Sequence, residues 1–115
     1  MSTRNSLAAL EGASALFAAG NVASDGTGTI LAPRVTAGDV VTTKTGTGVY
    51  TVTINPFKGP QGKLVTVATL KAASGIIRVE SETYTGDSVV ITVKTFAVDG
   101  TSAADKAFNF QIFAA

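Results

Sequence analysis

Two pairs of acidic residues have the side chains and the spacing that could support chemistry in this sequence. Glu80 and Glu82 stand two positions apart, and Asp99 and Asp105 bracket a polar loop. Paired carboxylates on one strand face can act as general acid and base, and aspartates around a loop can supply the oxygen ligands that Ca²⁺ prefers. The chain contains no His and no Cys, so it lacks the commonest general base and the commonest transition-metal ligands.

Both pairs also have ordinary structural interpretations. Glu80 and Glu82 would lie on the solvent-facing side of a strand, together with Arg78. The dense ligand spacing of known calcium loops is missing around Asp99 and Asp105. The structural interpretation is therefore preferred for each pair.

Two glycine-rich stretches, at 26–28 and 45–48, resemble phosphate-binding loops only in composition. Neither is followed by a Lys-Ser or Lys-Thr pair or by a helical pattern, so both predict turns. We therefore predict no catalytic residue, no cofactor and no metal, and a protein that is not an enzyme.

The composition indicates one domain with little surface charge. The 115 residues are 45% hydrophobic and 15% charged, with a formal net charge of +1, whereas charged residues average roughly a quarter of a soluble domain. Such a surface gives no electrostatic footprint for nucleic acid. No apolar run approaches the ~20 residues that a membrane helix needs. We expect no nucleic-acid or membrane partner, and association with other protein surfaces.

The stretch from Ile76 to Ala97 organises the predicted fold, because it indicates two strands joined by a turn at 85–87. Its first arm alternates with a period of two, which predicts one buried and one wet face. The buried face would carry Ile77, Val79, Ser81 and Thr83, and the wet face Arg78, Glu80 and Glu82. The second arm, Ser88 to Ala97, is β-branched almost throughout.

Other segments show the same strand pattern between Gly-rich turns. Further strands are predicted at Asp39–Lys44, Val49–Ile54, Leu64–Leu70 and Ala107–Phe113. Short strands with short connections are typical of a sandwich or barrel. We predict an all-β fold, an antiparallel β-sandwich or small barrel of about six to eight strands, in which residues 1–38 form an N-terminal arm and residues 39–115 the β-sandwich domain.

The predicted core follows from the apolar phase of each strand. It comprises Val40, Tyr50, Val52, Ile54, Val65, Val67, Ile77, Val79, Val89, Ile91, Val93, Phe108, Phe110 and Ile112.

The N-terminal arm has two interpretations. Leu7, Leu10 and Phe17 fall near a helical stripe, with Asn5 or Ser6 as a possible N-cap. The alternative is an extended arm followed by a first strand over 13–23, turning at 25–26, and this extended arm is favoured.

Several apolar residues are candidates for contact with other proteins. Phe57 lies in a Pro- and Gly-rich loop, where it either anchors a partner or closes the end of the sandwich. Phe96 and Phe113 have the opposite parity to the core residues of their strands, which indicates a second packed surface. Leu7, Leu10 and Phe17 in the arm complete the set.

The strand–turn–strand segment 44–53, KTGTGVYTVT, resembles a phrase that recurs in small β-structured virion proteins of tailed bacteriophages. The closing segments 89–100 and 108–110 resemble the ending of the same proteins, V-x-T-x-D-x-x-G followed by D-x-x-F-x-F. The resemblance covers about residues 38–114. Its motifs are structural rather than catalytic, and they indicate a virion protein more specifically than they indicate which part of the virion.

The resemblance implies a structural role. A freestanding module of this size is expected to be a capsid decoration (cement) protein that binds the major capsid protein on the outer surface of a phage head and stabilises it. It would be a homo-oligomer, such as a trimer, located on the capsid surface of the virion. The alternative is a tail or adsorption-apparatus module that binds a host receptor or glycan.

Overall fold

The computed structural model describes residues 15–57, 62, 64–71 and 74–114. Eight strands and one short 3₁₀ turn, Ala37–Asp39, make up the regular structure of this part of the chain. The strands are β1 (Ala15–Val22), β2 (Gly28–Leu31), β3 (Val40–Gly46), β4 (Val49–Ile54), β5 (Leu64–Leu70), β6 (Ile76–Thr85), β7 (Ser88–Phe96) and β8 (Phe108–Ala114).

The strands form two antiparallel four-stranded sheets that pack face to face. The first, called sheet I below, has the order β2-β1-β8-β5, and sheet II has the order β3-β4-β7-β6. The predicted all-β sandwich is confirmed. The hairpin of β6 and β7 forms one side of sheet II, and its register pairs Ile77 with Thr95 and Tyr84 with Val89.

The core lies between the sheets because each central strand turns one apolar phase inward. In β4, the buried residues Tyr50, Val52 and Ile54 alternate with half-buried ones. In β7, Val89, Ile91 and Val93 do the same. Burying each such side chain contributes roughly 1.5–3 kcal/mol, so the two strands at the centre of sheet II carry much of the stability.

The predicted core needs one correction, in β5. Val65 and Val67 are 55% and 45% exposed, and the side chains that face the core belong to the opposite phase, beginning with the buried Leu64. Both phases of this strand are apolar or small, so alternation alone could not decide between them. The inward phase even includes Thr66, whose Oγ1 is buried without a hydrogen-bond partner among the described residues.

The first arm of the hairpin needs a second correction. The β6–β7 register shifts between Val79 and Ser81, so Glu80 occupies a bulge. A bulge adds one residue to one strand and reverses the parity of those that follow. Glu82 therefore pairs with the buried Ile91 and is half-buried, while Thr83 is exposed. The predicted wet face holds for Arg78 and Glu80 and is wrong for Glu82.

Part of the predicted N-terminal arm forms strands of sheet I. The first strand is present as Ala15–Val22, and it turns at 23–27 into Gly28–Leu31. Ala18 and Val22 join the core. Leu7 and Leu10 lie outside the described residues.

Candidate protein-contact surface

The two glutamates singled out by their spacing do not form a carboxylate pair, because the bulge separates them onto opposite faces of sheet II. Glu80 accepts a hydrogen bond from Arg78 Nε at 2.7 Å and lies 3.5 Å from Lys94 Nζ. Glu82 accepts one at 3.0 Å from the hydroxyl of Tyr84, whose pKa is raised by burial. Each carboxylate is engaged by neighbours of its own strand pair, and the arrangement stabilises the edge of the sheet.

Asp99 and Asp105 are likewise engaged separately. Asp99 accepts hydrogen bonds from the backbone N–H groups of Thr101 and Ser102 and from the Ser102 hydroxyl. The Ser102 hydroxyl, followed by these N–H groups, lowers the pKa of Asp99 to about 2. Asp99 therefore holds the turn that follows β7, and the described residues include no group of three or more acidic side chains that could bind a metal ion.

Asp105 fastens the loop before β8 to the turn between β3 and β4. Its Oδ2 lies 2.6 Å from Lys44 Nζ, and its Oδ1 accepts a hydrogen bond of 2.7 Å from the backbone N–H of Gly48. Lys44, and then the Gly48 N–H, hold the pKa of Asp105 below its usual value. The carboxylate thus links segments that are far apart in sequence but meet at one end of the sandwich.

This geometry predicts how stability depends on pH. A carboxyl whose folded-state pKa is depressed stabilises the fold above its unfolded pKa of about 3.9, and this contribution is lost as the pH falls through the folded-state pKa. We expect Asp105→Asn to flatten the acid-side decline in the free energy of unfolding, measured by urea titration at several pH values. In a Lys44→Met background the same change should have a smaller effect; an equal effect would show that Lys44 is not the cause.

Phe57 lies inside the molecule, at one end of the sandwich. It is 6% exposed, and its ring packs edge-on against Phe17, with ring centres 5.7 Å apart, and at a tilt against Tyr84, 5.9 Å away. Of its two interpretations, the structure favours closure of the sandwich over an exposed anchor. Phe17 is partly buried in the same cluster.

Phe96 is on the outer face of sheet II, as its parity predicts, but a cation covers it. The Arg78 guanidinium carbon is 4.9 Å from the ring centre, and Arg78 is also held by Glu80. Such stacking contributes roughly 0.5–1 kcal/mol at an exposed site. Charged groups therefore surround this ring on the outer face of sheet II.

Phe113 lies on the outer face of sheet I, in a row of apolar side chains. It pairs with Leu16 of β1 on one side and with Val65 of β5 on the other. The next row across the same face runs from Leu31, 64% exposed, through Ala19 and Gln111 to Val67, 45% exposed. Exposed apolar side chains that are contiguous over several strands are typical of an interaction site.

The strands of sheet I carry no charged residue. Towards the far end, the outer face becomes polar but stays neutral, through Asn21, Thr29, Thr69 and Asn109. A shallow groove of about 370 Å³ runs over β1, β2 and β8, where Asn21, Asn109 and Gln111 supply amide groups. The face can thus make apolar contacts at one end and neutral hydrogen bonds at the other.

Comparisons with known proteins add no relative. No protein-family model matches the chain, and neither a curated protein nor a solved structure is detectably similar to it. Within the described residues, no helix has the length and hydrophobicity to cross a membrane. A function therefore has to be argued from the structure itself, and the outer face of sheet I is the surface that we use for this.

The sequence pattern predicts only part of this surface. The parity of Phe113 was a usable signal, since it opposes that of Phe108 and Phe110 within one strand. Leu16 and Leu31 carry no such signal, because they lie near Phe113 only through the pairing of distant strands. The segments 15–22, 28–31, 64–70 and 108–114 also contain no charged residue, but the same is true of β4 in sheet II, so this signal alone does not identify the face.

Proposed function

We propose that the protein is a structural virion protein, a capsid decoration protein that binds the outer surface of a phage head through the outer face of sheet I and stabilises it. The observation that carries the proposal is the uncharged, partly apolar face formed by Leu16, Leu31, Val65, Val67 and Phe113. The resemblance of segments 44–53 and 89–110 to virion proteins supplies the class of partner, the major capsid protein.

The mechanism is passive contact across subunit boundaries. Burial of apolar surface contributes roughly 25 cal/mol per Å² removed from water, and the absence of charged groups on the strands of sheet I avoids the cost of burying unpaired charges. Many copies bound to one shell add their contacts together, so even a weak single contact can stabilise the head.

A charge placed on the apolar row tests this proposal. Val65→Lys should lower the affinity for heads that lack the protein at least tenfold, because the new ammonium would have to be desolvated in the contact. The measurement is the number of copies bound per head, by quantitative mass spectrometry, over a range of protein concentrations.

Val41→Lys is the matched control. Val41 is 54% exposed, against 55% for Val65, and it lies in an edge strand of the other sheet. This variant should bind heads like the native protein. Equal binding by both variants would exclude the outer face of sheet I as the capsid contact.

The groove on the same face favours a second candidate. Its amides, from Asn21, Asn109 and Gln111, suit the hydroxyl groups of a glycan, as a tail or adsorption-apparatus module would require. That function requires few copies of the protein, at the tail, together with binding of the purified protein to host cells. Capsid decoration requires many copies on the head, so a count of copies per virion separates the two.

A further inference from the structure

Three of the four edge strands are protected against pairing with another chain. β2 has only four residues. β6 is bulged at Glu80 and carries charged side chains. β3 is covered by the β1–β2 connection. Thr42 Oγ1 donates a hydrogen bond of 2.9 Å to the Gly26 carbonyl. Gly26 lies so close to β3 that a Cβ added to it would be 2.6 Å from the backbone nitrogen of Lys44. Short length, bulges, charges and covering segments are the usual protections of an edge.

Among the residues that the structure describes, β5 has none of these protections. Its seven residues, LVTVATL, include no charge and no Pro, and its register with β8 runs without a shift from Leu64 to Leu70. It pairs with β8 alone in sheet I, so alternate backbone N–H and C=O groups point away from the sheet. Two of its side chains, Val65 and Val67, are exposed valines.

The sequence of β5 is also close to a palindrome centred on Val67. Antiparallel pairing of two copies about this residue places Leu64 opposite Leu70, Val65 opposite Thr69 and Thr66 opposite Ala68. Each pair has similar side chains, and no like charges meet. A two-fold contact needs a surface that is complementary to itself, and this strand meets that condition.

We propose that β5 is a self-association edge, where it pairs antiparallel with β5 of a second copy about a two-fold axis at Val67. The two copies of sheet I then form one continuous eight-stranded sheet, with both outer faces on the same side. Strand addition of this kind gains affinity from backbone hydrogen bonds and specificity from the alternating side chains.

Pairing would also enlarge the docking face, a consequence that rests on the proposed function. At strand spacings of about 4.8 Å and about 3.3 Å per residue, one face spans roughly 400 Å². A specific interface buries about 800 Å² per partner. Two faces side by side reach that area, so a dimer should bind a shell more tightly than a monomer.

Cysteine substitution tests the register, since the native chain has no Cys. Val67→Cys places two thiols on the two-fold axis, where the Cα atoms of an antiparallel pair are about 4.5–5.5 Å apart, within disulfide range. Mild oxidation of the isolated protein at low micromolar concentration should yield mainly covalent dimer, measured by non-reducing electrophoresis.

Two variants serve as controls. Val41→Cys is equally conservative and lies on the protected edge β3. In Val65→Cys, the two introduced thiols would lie four residues apart along the paired strands, a distance of roughly 13 Å. Neither should form more than a tenth as much dimer. Equal cross-linking of all three variants, or none by Val67→Cys, would overturn the proposal.

Light scattering gives an independent measurement. Val67→Lys brings two ammonium groups together at the axis and should raise the dimer dissociation constant at least tenfold, whereas Val41→Lys should not. A native protein that stays monomeric at high micromolar concentration would also overturn the pairing. Capsid binding is tested separately with Leu31→Lys on the opposite edge strand, so either proposal can fail without the other.

Discussion

Gly48→Ala is expected to destabilise the protein by about 3–4 kcal/mol, close to the upper end for a single substitution. Gly48 has a φ of +67°, a conformation that side chains with a Cβ adopt only at a cost. Urea titration at neutral pH measures the effect, as a shift of the midpoint at an unchanged slope.

The surroundings of Gly48 make this effect larger than backbone conformation alone would give. A Cβ at this position would collide with the Thr95 carbonyl oxygen and lie 3.0 Å from the Ala104 N–H nitrogen. Both groups are backbone atoms, and they are hydrogen-bonded to each other, so they cannot move aside without breaking that contact. The substitution would also displace the Gly48 N–H from Asp105.

Gly46 provides the control, two residues away in the same turn. It is not among the glycines with positive φ, and the nearest atom to an added Cβ is 4.0 Å away, on Val49. Gly46→Ala should therefore change stability by less than about 1 kcal/mol. Equal destabilisation of both variants would show that the close approach of the loop at Gly48 is not the cause.

These two glycines also show what the sequence can and cannot reveal. The TGTG stretch predicts a turn, because glycine supplies conformations that turns need, and the structure has that turn between β3 and β4. Which glycine carries the positive φ, and which lies under the 97–107 loop, depends on contacts between distant segments. Local pattern therefore predicts the turn, and only the assembled fold identifies the sensitive residue.

The strands show the same distinction between what the local sequence predicts and what the assembled fold decides. In β4 an apolar phase alternates with a Thr-rich one, and in β7 an apolar phase alternates with a mixed one that contains Lys94, so alternation predicts their orientation. β5 is apolar on both phases, and its orientation depends on its pairing with β8. The bulge at Glu80 leaves no local signal, yet it decides that Glu82 turns inward. For the proposed contact surface, low charge and the parity of Phe113 are signals in the sequence, whereas its extent depends on register.

Phe57→Ala is expected to cost about 3–4 kcal/mol, the usual range for removing a buried aromatic ring. The ring fills the end of the sandwich between Phe17 and Tyr84, and the Phe57 N–H donates to the Asp87 carbonyl, which fixes the position of the backbone. Truncation would leave a cavity that these strand-borne neighbours can close only in part. Thermal and urea unfolding measure the loss.

Phe113→Ala is the comparison that separates closure from partner contact. Phe113 is half-buried on the outer face, so its removal should cost less than half as much stability and should instead weaken binding to capsids. If Phe57→Ala left unfolding unchanged but lowered capsid occupancy, Phe57 would be the anchor and the end of the sandwich the contact site. With the ring 6% exposed, we expect the reverse, because a side chain that already packs against its own fold has little surface left to offer a partner.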